Sequence, residues 1–226
     1  MSCRSNEWEN IWNKKVTVDN IPLHFVSGFD MMSYKSWRHL IKIFINIIGE
    51  KKFDSVIDIG CSAGAFLKVI KNIVPDSKLY GCDISHSSIK RISDNLDGIF
   101  LLSNASDTIY EFKDVATLSI SFSVFQYFND YTMARKVLEN MYLYTKNKGT
   151  IFVGDIPDYF KKEIDIKERK FKKRKKSNHM YYKKSFFTNF AQKYNLHISI
   201  YDHDHLKLPL SFPNKKSRFS IIMAKK

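Results

Sequence analysis

The feature that most constrains this chain is a strand, a glycine-containing loop and a helix that follow one another without interruption. Residues 55–59 form a short apolar run rich in β-branched side chains, which is typical of a buried strand. Gly60 and Gly64 bracket the loop, and from residue 66 to 74 the apolar side chains recur with helical spacing. Such a strand–loop–helix unit is the building block of parallel α/β sheets.

The same alternation of strands and helices continues along the chain. Helical patterns separate the first five strands, so we expect parallel pairing through right-handed crossovers. Pro209 and Pro213 lie between the last two β-rich runs without a helical pattern, which favours an antiparallel C-terminal hairpin. We therefore predict an α/β fold, a doubly wound, mostly parallel seven-stranded sheet with helices on both faces. The predicted strands span residues 55–59, 78–82, 99–102, 114–121, 150–153, 197–201 and 219–223.

The length of 226 residues suits one core domain with a small extension. We predict an N-terminal helical cap over residues 1–50 and a core over residues 51–226. The longest apolar stretch is much shorter than the roughly 20 residues that cross a bilayer, and residues 1–10 lack the pattern of a secretory signal. We expect no membrane span, a cytoplasmic location and reduced thiols, because the three Cys residues lack CxxC spacing.

The net charge of +14 is concentrated in one predicted insertion, residues 158–184. Twelve Lys or Arg against three Asp or Glu give residues 161–184 a net charge of +9. Three interpretations stay open for this insertion. It is a lid that clamps an anionic substrate, a tract that follows an RNA backbone, or a solvated loop.

The loop between Gly60 and Gly64 has the chemistry of a nucleotide site. Glycines let a ligand approach the backbone, and the following helix presents free N–H groups to an anion. Asp83 ends the second predicted strand, where a carboxylate accepts hydrogen bonds from ribose hydroxyls. A dinucleotide fingerprint needs a glycine where this chain has Ser62, so NAD is the weaker interpretation.

Residues 56–64 and Asp83 together resemble the motifs of class I S-adenosylmethionine-dependent methyltransferases, over roughly residues 53–155. The resemblance implies a Rossmann-like core with S-adenosylmethionine as the cofactor. It implies that Asp58 holds the methionine amino group, that Asp83 holds the ribose and that Ile84 covers one adenine face. In the loop, the methionine carboxylate would be bound by Gly60, Cys61, Ser62 and Gly64.

Further cofactor-binding positions follow the third and fourth strands. The family usually has Gly-Asp-Ala where this chain has Ser-Asn-Ala, so Asn104 and Ala105 would contact adenine, with Asn104 accepting from the amino group. Ser121 and Phe122, at the end of the fourth strand, are further predicted cofactor-binding residues. Many small-molecule members have a histidine where this chain has Gln126, which cannot act as a general base. A non-catalytic binding module is therefore one alternative.

Asp155 is the first candidate for a catalytic base, because it follows the fifth strand at the same edge of the sheet as the loop. Capping a turn is the competing role for this side chain. His203 and His205 are the second candidates. They would project to one side if the sixth strand continued through them, although we expect no metal site there.

The methyl acceptor is predicted to be an oxygen of a small molecule. No Asn/Asp-Pro-Pro-aromatic sequence, which the family's exocyclic-amine enzymes carry, follows the fourth strand, and no Cys nucleophile lies there. Residues 154–158 and the terminal strand at Arg218 resemble methyltransferases of bacterial surface-glycan pathways, which implies a sugar, phosphorylated or nucleotide-linked. An RNA methyltransferase is the alternative. Aromatic residues that precede the core would line the acceptor pocket, namely Trp8, Trp12, Phe25, Tyr34 and Trp37, with packing as the competing role for Trp37.

Overall fold

A seven-stranded sheet forms the centre of the computed structural model, which describes residues 3–16, 21–49, 52–171 and 179–226. The strands are β1 Ser55–Ile59, β2 Lys78–Asp83, β3 Ile99–Leu102, β4 Ala116–Phe122, β5 Thr145–Pro157, β6 His197–Asp202 and β7 Arg218–Ala224. Their order in the sheet is β3-β2-β1-β4-β5-β7-β6. Strands β1 to β5 pair in parallel, whereas β7 pairs antiparallel with both β5 and β6. The predicted sheet and its antiparallel end are confirmed.

Helices cover both faces of this sheet, and each face has its own apolar cluster. The helices are α1 Cys3–Val16, α2 Tyr34–Ile48, α3 Ala65–Ile73, α4 His86–Ser93, α5 Tyr131–Tyr144, α6 Lys162–Phe171 and α7 Lys184–Lys193. On one face, Leu40 and Phe44 of α2 pack with α3 against Phe122 and Phe152. On the other face, α5 and α7 pack against alternate residues of the same strands. None of the described helices combines the length and apolar character needed to cross a membrane.

The N-terminal helix α1 lies against α4 at the carboxyl edge of the sheet. The hydroxyl of Ser85, which caps α4, donates to Asn13 Oδ1 at 2.8 Å. Arg91 donates to the carbonyl of Val16 at 3.1 Å. The predicted boundary of the cap at residue 50 stays a prediction, and residues 50 and 51 lie outside the described residues.

The described part of the basic insertion is docked on the domain. The fully buried Asp165 of α6 accepts hydrogen bonds from Tyr181 Oη at 2.6 Å and from Ser217 Oγ at 3.2 Å. Two of its lysines already contact carboxylates, since Lys161 reaches Asp204 at 2.9 Å and Lys184 reaches Asp202 at 2.7 Å. Residues 172–178, which carry five of the twelve Lys or Arg of the insertion, lie outside the described residues.

Candidate active site

A main cleft of about 970 Å³, counting the part open to solvent, lies at the carboxyl ends of β1, β2 and β4. Open α/β sheets bind ligands at this edge, where the strand order reverses. Nine of the eleven predicted cofactor-binding residues line it, whereas Gly64 and Ser121 do not. Ser121 is buried and donates to the carbonyl of Ile59 at 3.0 Å. The nine are Asp58, Gly60, Cys61, Ser62, Asp83, Ile84, Asn104, Ala105 and Phe122.

The two loop glycines make room for the protein's own side chains. Both have left-handed backbones, with φ of 80° at Gly60 and 82° at Gly64, which favour glycine. A Cβ at Gly60 would lie 2.5 Å from Val124 Cγ2, and one at Gly64 would lie 2.7 Å from Ile92 Cδ1. The prediction that the missing Cβ atoms admit a ligand is therefore corrected, because those directions are filled by Val124 and Ile92.

The loop N–H groups are largely engaged within the protein. Those of Gly60 and Cys61 donate to the carbonyl of Cys82 at 2.8 and 3.1 Å, and that of Gly64 donates to Cys61 at 3.0 Å. The N–H of Ser62 donates to Asp83 at 2.9 Å. An anion in the cleft would thus be held by the first turn of α3, whose leading N–H groups have no partner inside the helix.

Asp58 presents a buried carboxyl group with spare hydrogen-bonding capacity. The residue is 3% exposed, and its Oδ1 has no hydrogen-bond partner among the described residues. Burial, with a smaller contribution from the charge of Asp83, raises the pKa of Asp58 to about 8. A buried carboxyl group of this kind fits a cation such as the amino group of an amino acid.

Asp83 is positioned by backbone donors on both sides. Its Oδ1 accepts from the N–H of Ser85 at 2.9 Å, and its Oδ2 accepts from the N–H of Ser62 at 2.9 Å. Burial raises the pKa of Asp83, while these hydrogen bonds oppose the shift. Each carboxylate oxygen can still accept another hydrogen bond, which fits a pair of ribose hydroxyls.

Asn104 uses its amide oxygen within its own turn. Its Oδ1 accepts from the N–H of Ser106 at 3.1 Å and from the hydroxyl of Ser106 at 2.9 Å. Both lone pairs of that oxygen are occupied, so the side-chain NH₂ is the group left for a ligand. The predicted role of Asn104 as acceptor for an adenine amino group is therefore corrected.

A second, smaller space of about 380 Å³ adjoins the main cleft, and both are lined by Ser27, Phe29, Ser123 and Tyr127. We call it the polar compartment. Hydrogen-bonding and charged side chains from separate parts of the chain line it, unlike the mainly apolar cleft. They are Gln126, Asp155, His179, Asn214 and Arg218.

A β-bulge turns Asp155 into the polar compartment. The pairing of β5 with β7 shifts register between Val153 and Ile156, and both of these residues face the same apolar cluster. Strict alternation would place residues three apart on opposite faces, so the bulge takes up one residue. Asp155 has a φ of 58°, accepts from Ser123 Oγ at 2.7 Å and lies 3.9 Å from Arg218 Nε.

His203 and His205 do not form a pair. Strand β6 ends at Asp202, and residues 203–205 form a 3₁₀ turn in which the predicted strand does not continue. His203 is fully buried, lies 2.7 Å from Ser220 Oγ and has its pKa lowered to about 3 by burial. The His205 side chain is 79% exposed. Neither residue lines the main cleft or the polar compartment.

Aromatic side chains from the N-terminal segment cover the main cleft. The rings of Trp8 and Trp12 lie 4.5 and 5.7 Å from the ring of Tyr127. Trp37 is 2% exposed and donates to the carbonyl of Ala65 at 3.1 Å, so it both packs and lines the cleft. Phe25 and Tyr34 are absent from the described lining. Two lining residues were not among the predicted site residues, namely Ser123, which directly follows β4, and Tyr127, which ends the 3₁₀ turn after it.

The family of this chain is established by its sequence. The family described as a methyltransferase domain matches residues 50–203. The chain belongs to this family. The predicted resemblance to class I methyltransferases is thereby confirmed, although no curated protein sequence is significantly similar to the chain.

Solved methyltransferase structures share the fold over nearly the whole chain. Magnesium protoporphyrin IX methyltransferase from Synechocystis PCC 6803, with bound SAM, matches with a TM-score of 0.64 and 9% identity over 100% of this chain and 99% of that one. The plantazolicin methyltransferase BpumL, in complex with S-adenosylhomocysteine (SAH), matches with a TM-score of 0.65 and 16% identity over 99% of this chain and 98% of that one. The N-methyltransferase NodS from Bradyrhizobium japonicum WM9, also with SAH, matches with a TM-score of 0.63 and 14% identity over 96% of this chain and 97% of that one. At these identities the likeness establishes the fold.

Proposed function

We propose that this methyltransferase uses S-adenosylmethionine to methylate a hydroxyl oxygen of a small molecule, with sugars as the acceptor class. The observation that carries the proposal is the buried Oδ1 of Asp58, which has no hydrogen-bond partner in the described part of the chain. It lies in a cleft that joins a polar compartment at the edge of the sheet. The family and the solved relatives with SAM or SAH support the choice of cofactor.

The residues of the main cleft fit the parts of this cofactor. Asp58 would hold the amino group, and the first turn of α3 would hold the carboxylate. Asp83 would accept from the ribose hydroxyls, and Ile84 would pack on the adenine. When bound, the cofactor supplies a methyl group already activated by the sulfonium. The protein must then align an acceptor and exclude water.

Asp155 is the proposed base that accepts the proton of the hydroxyl. Its carboxylate lines the polar compartment next to the cleft, and Ser123 fixes one of its oxygens. The left-handed backbone of Asp155 supports a functional role, because such strain concentrates at functional sites. Asp155→Asn would lower kcat by about 10²- to 10⁴-fold, the usual contribution of general base catalysis.

Thermal denaturation tests the cofactor. SAH at 100 times its dissociation constant would stabilise the folded protein by ~2.7 kcal/mol, and NAD would give no shift. A shift with NAD and none with SAH would overturn the proposal.

Turnover with labelled S-adenosylmethionine tests the acceptor. Sugars, amino sugars, sugar phosphates, nucleotide sugars and RNA form the panel, and the expected product is a methyl ether of a sugar. An N-methylated amino sugar as product would show that the methyl-accepting atom is nitrogen and not oxygen. The solved relative NodS is named an N-methyltransferase. No product from any acceptor, together with a clear SAH shift, would favour the non-catalytic module.

The salt dependence of binding distinguishes RNA from a sugar as the methylated substrate. Lys161 and Lys184 of the insertion already contact aspartates, which leaves less free charge for a phosphate backbone in the described part. Binding to RNA would weaken steeply as salt rises, because counterions are released on binding. If RNA is methylated and its binding shows that salt dependence, RNA and not a sugar is the substrate. The cytoplasmic location stays a prediction.

A further inference from the structure

We infer that the polar compartment selects the molecule that accepts the methyl group. It binds groups of that molecule that donate hydrogen bonds and carry no negative charge. This inference rests on the proposed function, because it names the chemistry of the molecule that would receive the methyl group. It depends on three features, namely a fixed amide at Gln126, a second amide at Asn214 and two carboxylates around the single guanidinium of Arg218.

Gln126 presents a hydrogen-bond acceptor whose orientation is fixed. Its Nε2 donates to the carbonyl of Ser123 at 2.8 Å and to the hydroxyl of Ser123 at 2.8 Å. A carbonyl oxygen only accepts, so the NH₂ must face Ser123 and the amide cannot be flipped. Its Oε1 is buried without a hydrogen-bond partner among the described residues, and the residue is 2% exposed.

Asn214 adds a second acceptor from another part of the fold. It precedes β7 with a left-handed φ of 56°, a conformation that asparagine tolerates, and it is 4% exposed. Its backbone carbonyl accepts from the N–H of Ser217 at 3.0 Å, but its Oδ1 has no partner in the described part of the chain. The buried amide oxygens of Gln126 and Asn214 can therefore each accept a hydrogen bond from a ligand. Leaving them unpaired costs free energy.

The charges around the compartment exclude a second negative group. Arg218 donates to Asp165 Oδ1 at 3.3 Å and lies 3.9 Å from Asp155 Oδ1. Two buried carboxylates thus face one guanidinium, so its charge is already offset. A phosphate or carboxylate in the compartment would face Asp155 and two carbonyl oxygens, and like-charge contacts of this kind are unfavourable.

Hydroxyl or ammonium groups suit the same surroundings. Each has a donor for Gln126 or Asn214, and neither is repelled by Asp155. Gln126 and Asn214 are therefore specificity-determining residues, and Asp155 repels anions in addition to its proposed role as the base. The phosphorylated sugars included in the sequence-based prediction are excluded by this inference.

Four matched sugars test the selection on protein saturated with SAH. Binding is measured by isothermal titration with methyl glucoside, glucosamine, glucose 6-phosphate and glucuronate. We expect the neutral and the cationic sugar to bind, and both anions to bind at least about tenfold more weakly. Equal or tighter binding of either anion would overturn the inference, as would failure of both other sugars to bind. The SAH-induced thermal shift, measured on the same sample, reports separately on the proposed cofactor site.

Variants locate the selection in the compartment. Asn214→Gly keeps the left-handed backbone and removes the unpartnered oxygen, so sugar binding should weaken several-fold while the SAH shift persists. The matched control is Asn195→Gly, at an exposed asparagine with a φ of 52°, which should change nothing. Asp155→Asn should raise the affinity for glucose 6-phosphate by about tenfold, a gain that misfolding cannot mimic. Equal effects of the two glycine variants, or no gain in Asp155→Asn, would refute the assignment.

Discussion

The main cleft and the polar compartment adjoin each other, yet they are built by different means. The cleft takes its shape from backbone hydrogen bonds of one strand–loop–helix unit, in which Gly60, Cys61 and Gly64 donate to neighbouring carbonyls. The compartment depends on side chains from distant segments, with Arg218 set between Asp155 and Asp165. The cleft is thus a property of the fold, whereas the compartment is a property of this particular sequence.

Removing the buried cation should produce the largest effect and separate the two regions most clearly. Arg218→Met leaves Asp165 and Asp155 without their guanidinium in buried surroundings. We expect a loss of about 3–5 kcal/mol in the free energy of unfolding, the usual cost of breaking a buried pair. Urea denaturation measures it.

The control for this change is Lys184→Met, whose partner Asp202 is partly exposed. Exposed pairs contribute ~0–1 kcal/mol, so this variant should stay close to the unmodified protein. Similar losses in the two variants would show that the compartment does not depend on its buried charges.

Asp83 should dominate ligand binding in the main cleft. Asp83→Asn keeps one oxygen for the backbone donors but loses the charge that the ribose hydroxyls would meet. Hydrogen bonds to charged groups contribute ~1.5–3 kcal/mol, so most of the SAH-induced thermal shift should disappear. Asp155→Asn is the control from the polar compartment and should retain the shift. A full shift in Asp83→Asn would remove Asp83 from the ribose site.

The contrast also explains which parts of the molecule could be predicted from the sequence. The sheet and helices follow from local periodicity, and Asp58 and Asp83 follow from their positions at the ends of β1 and β2. These features depend on residues close together in the chain. The carboxyl edge of parallel strands then brings the two aspartates into one cleft.

The features that could not be predicted arise where local structure departs from a regular pattern or where partners are far apart in sequence. His203 would lie beside His205 only if β6 continued through both, but a 3₁₀ turn places His203 in the core. Asp155 leaves the alternation of β5 through a bulge, which no residue type announces. Arg218 meets Asp165 across 53 residues of chain, and single-sequence periodicity carries no information on such a pair.

Asp58 should make the stability of the ligand-free protein depend on pH. Burial raises its pKa to about 8, so the folded protein binds its proton more tightly than the unfolded chain does. This contribution is fully present below the ordinary carboxyl pKa of ~4 and is lost as pH rises through about 8. Melting temperatures from pH 5 to pH 9 should fall in the unmodified protein relative to Asp58→Asn, with ~2–4 °C per kcal/mol.

SAH sharpens this test, because its amino group would pair with the ionised carboxylate. The fall between pH 5 and pH 9 should therefore be smaller at saturating SAH, and Asp58→Asn should show no such relief. Parallel curves for the two proteins without ligand would mean that Asp58 does not titrate in this range.

The smallest expected effect concerns the contact of Asn104 with adenine. The oxygen of Asn104 is occupied by Ser106, so its NH₂ is the group that remains. Asn104→Asp keeps those two hydrogen bonds and adds a free, charged acceptor for the adenine amino group. Charge-assisted hydrogen bonds are roughly twice as strong as neutral ones, so SAH should bind up to about tenfold more tightly, a gain of ~1.4 kcal/mol. Isothermal titration measures it, and S-inosylhomocysteine, which lacks that amino group, should gain nothing. An equal gain for both ligands would place the new carboxylate away from the adenine edge, and adenine recognition would then depend on Ile84 and the neighbouring apolar surface alone.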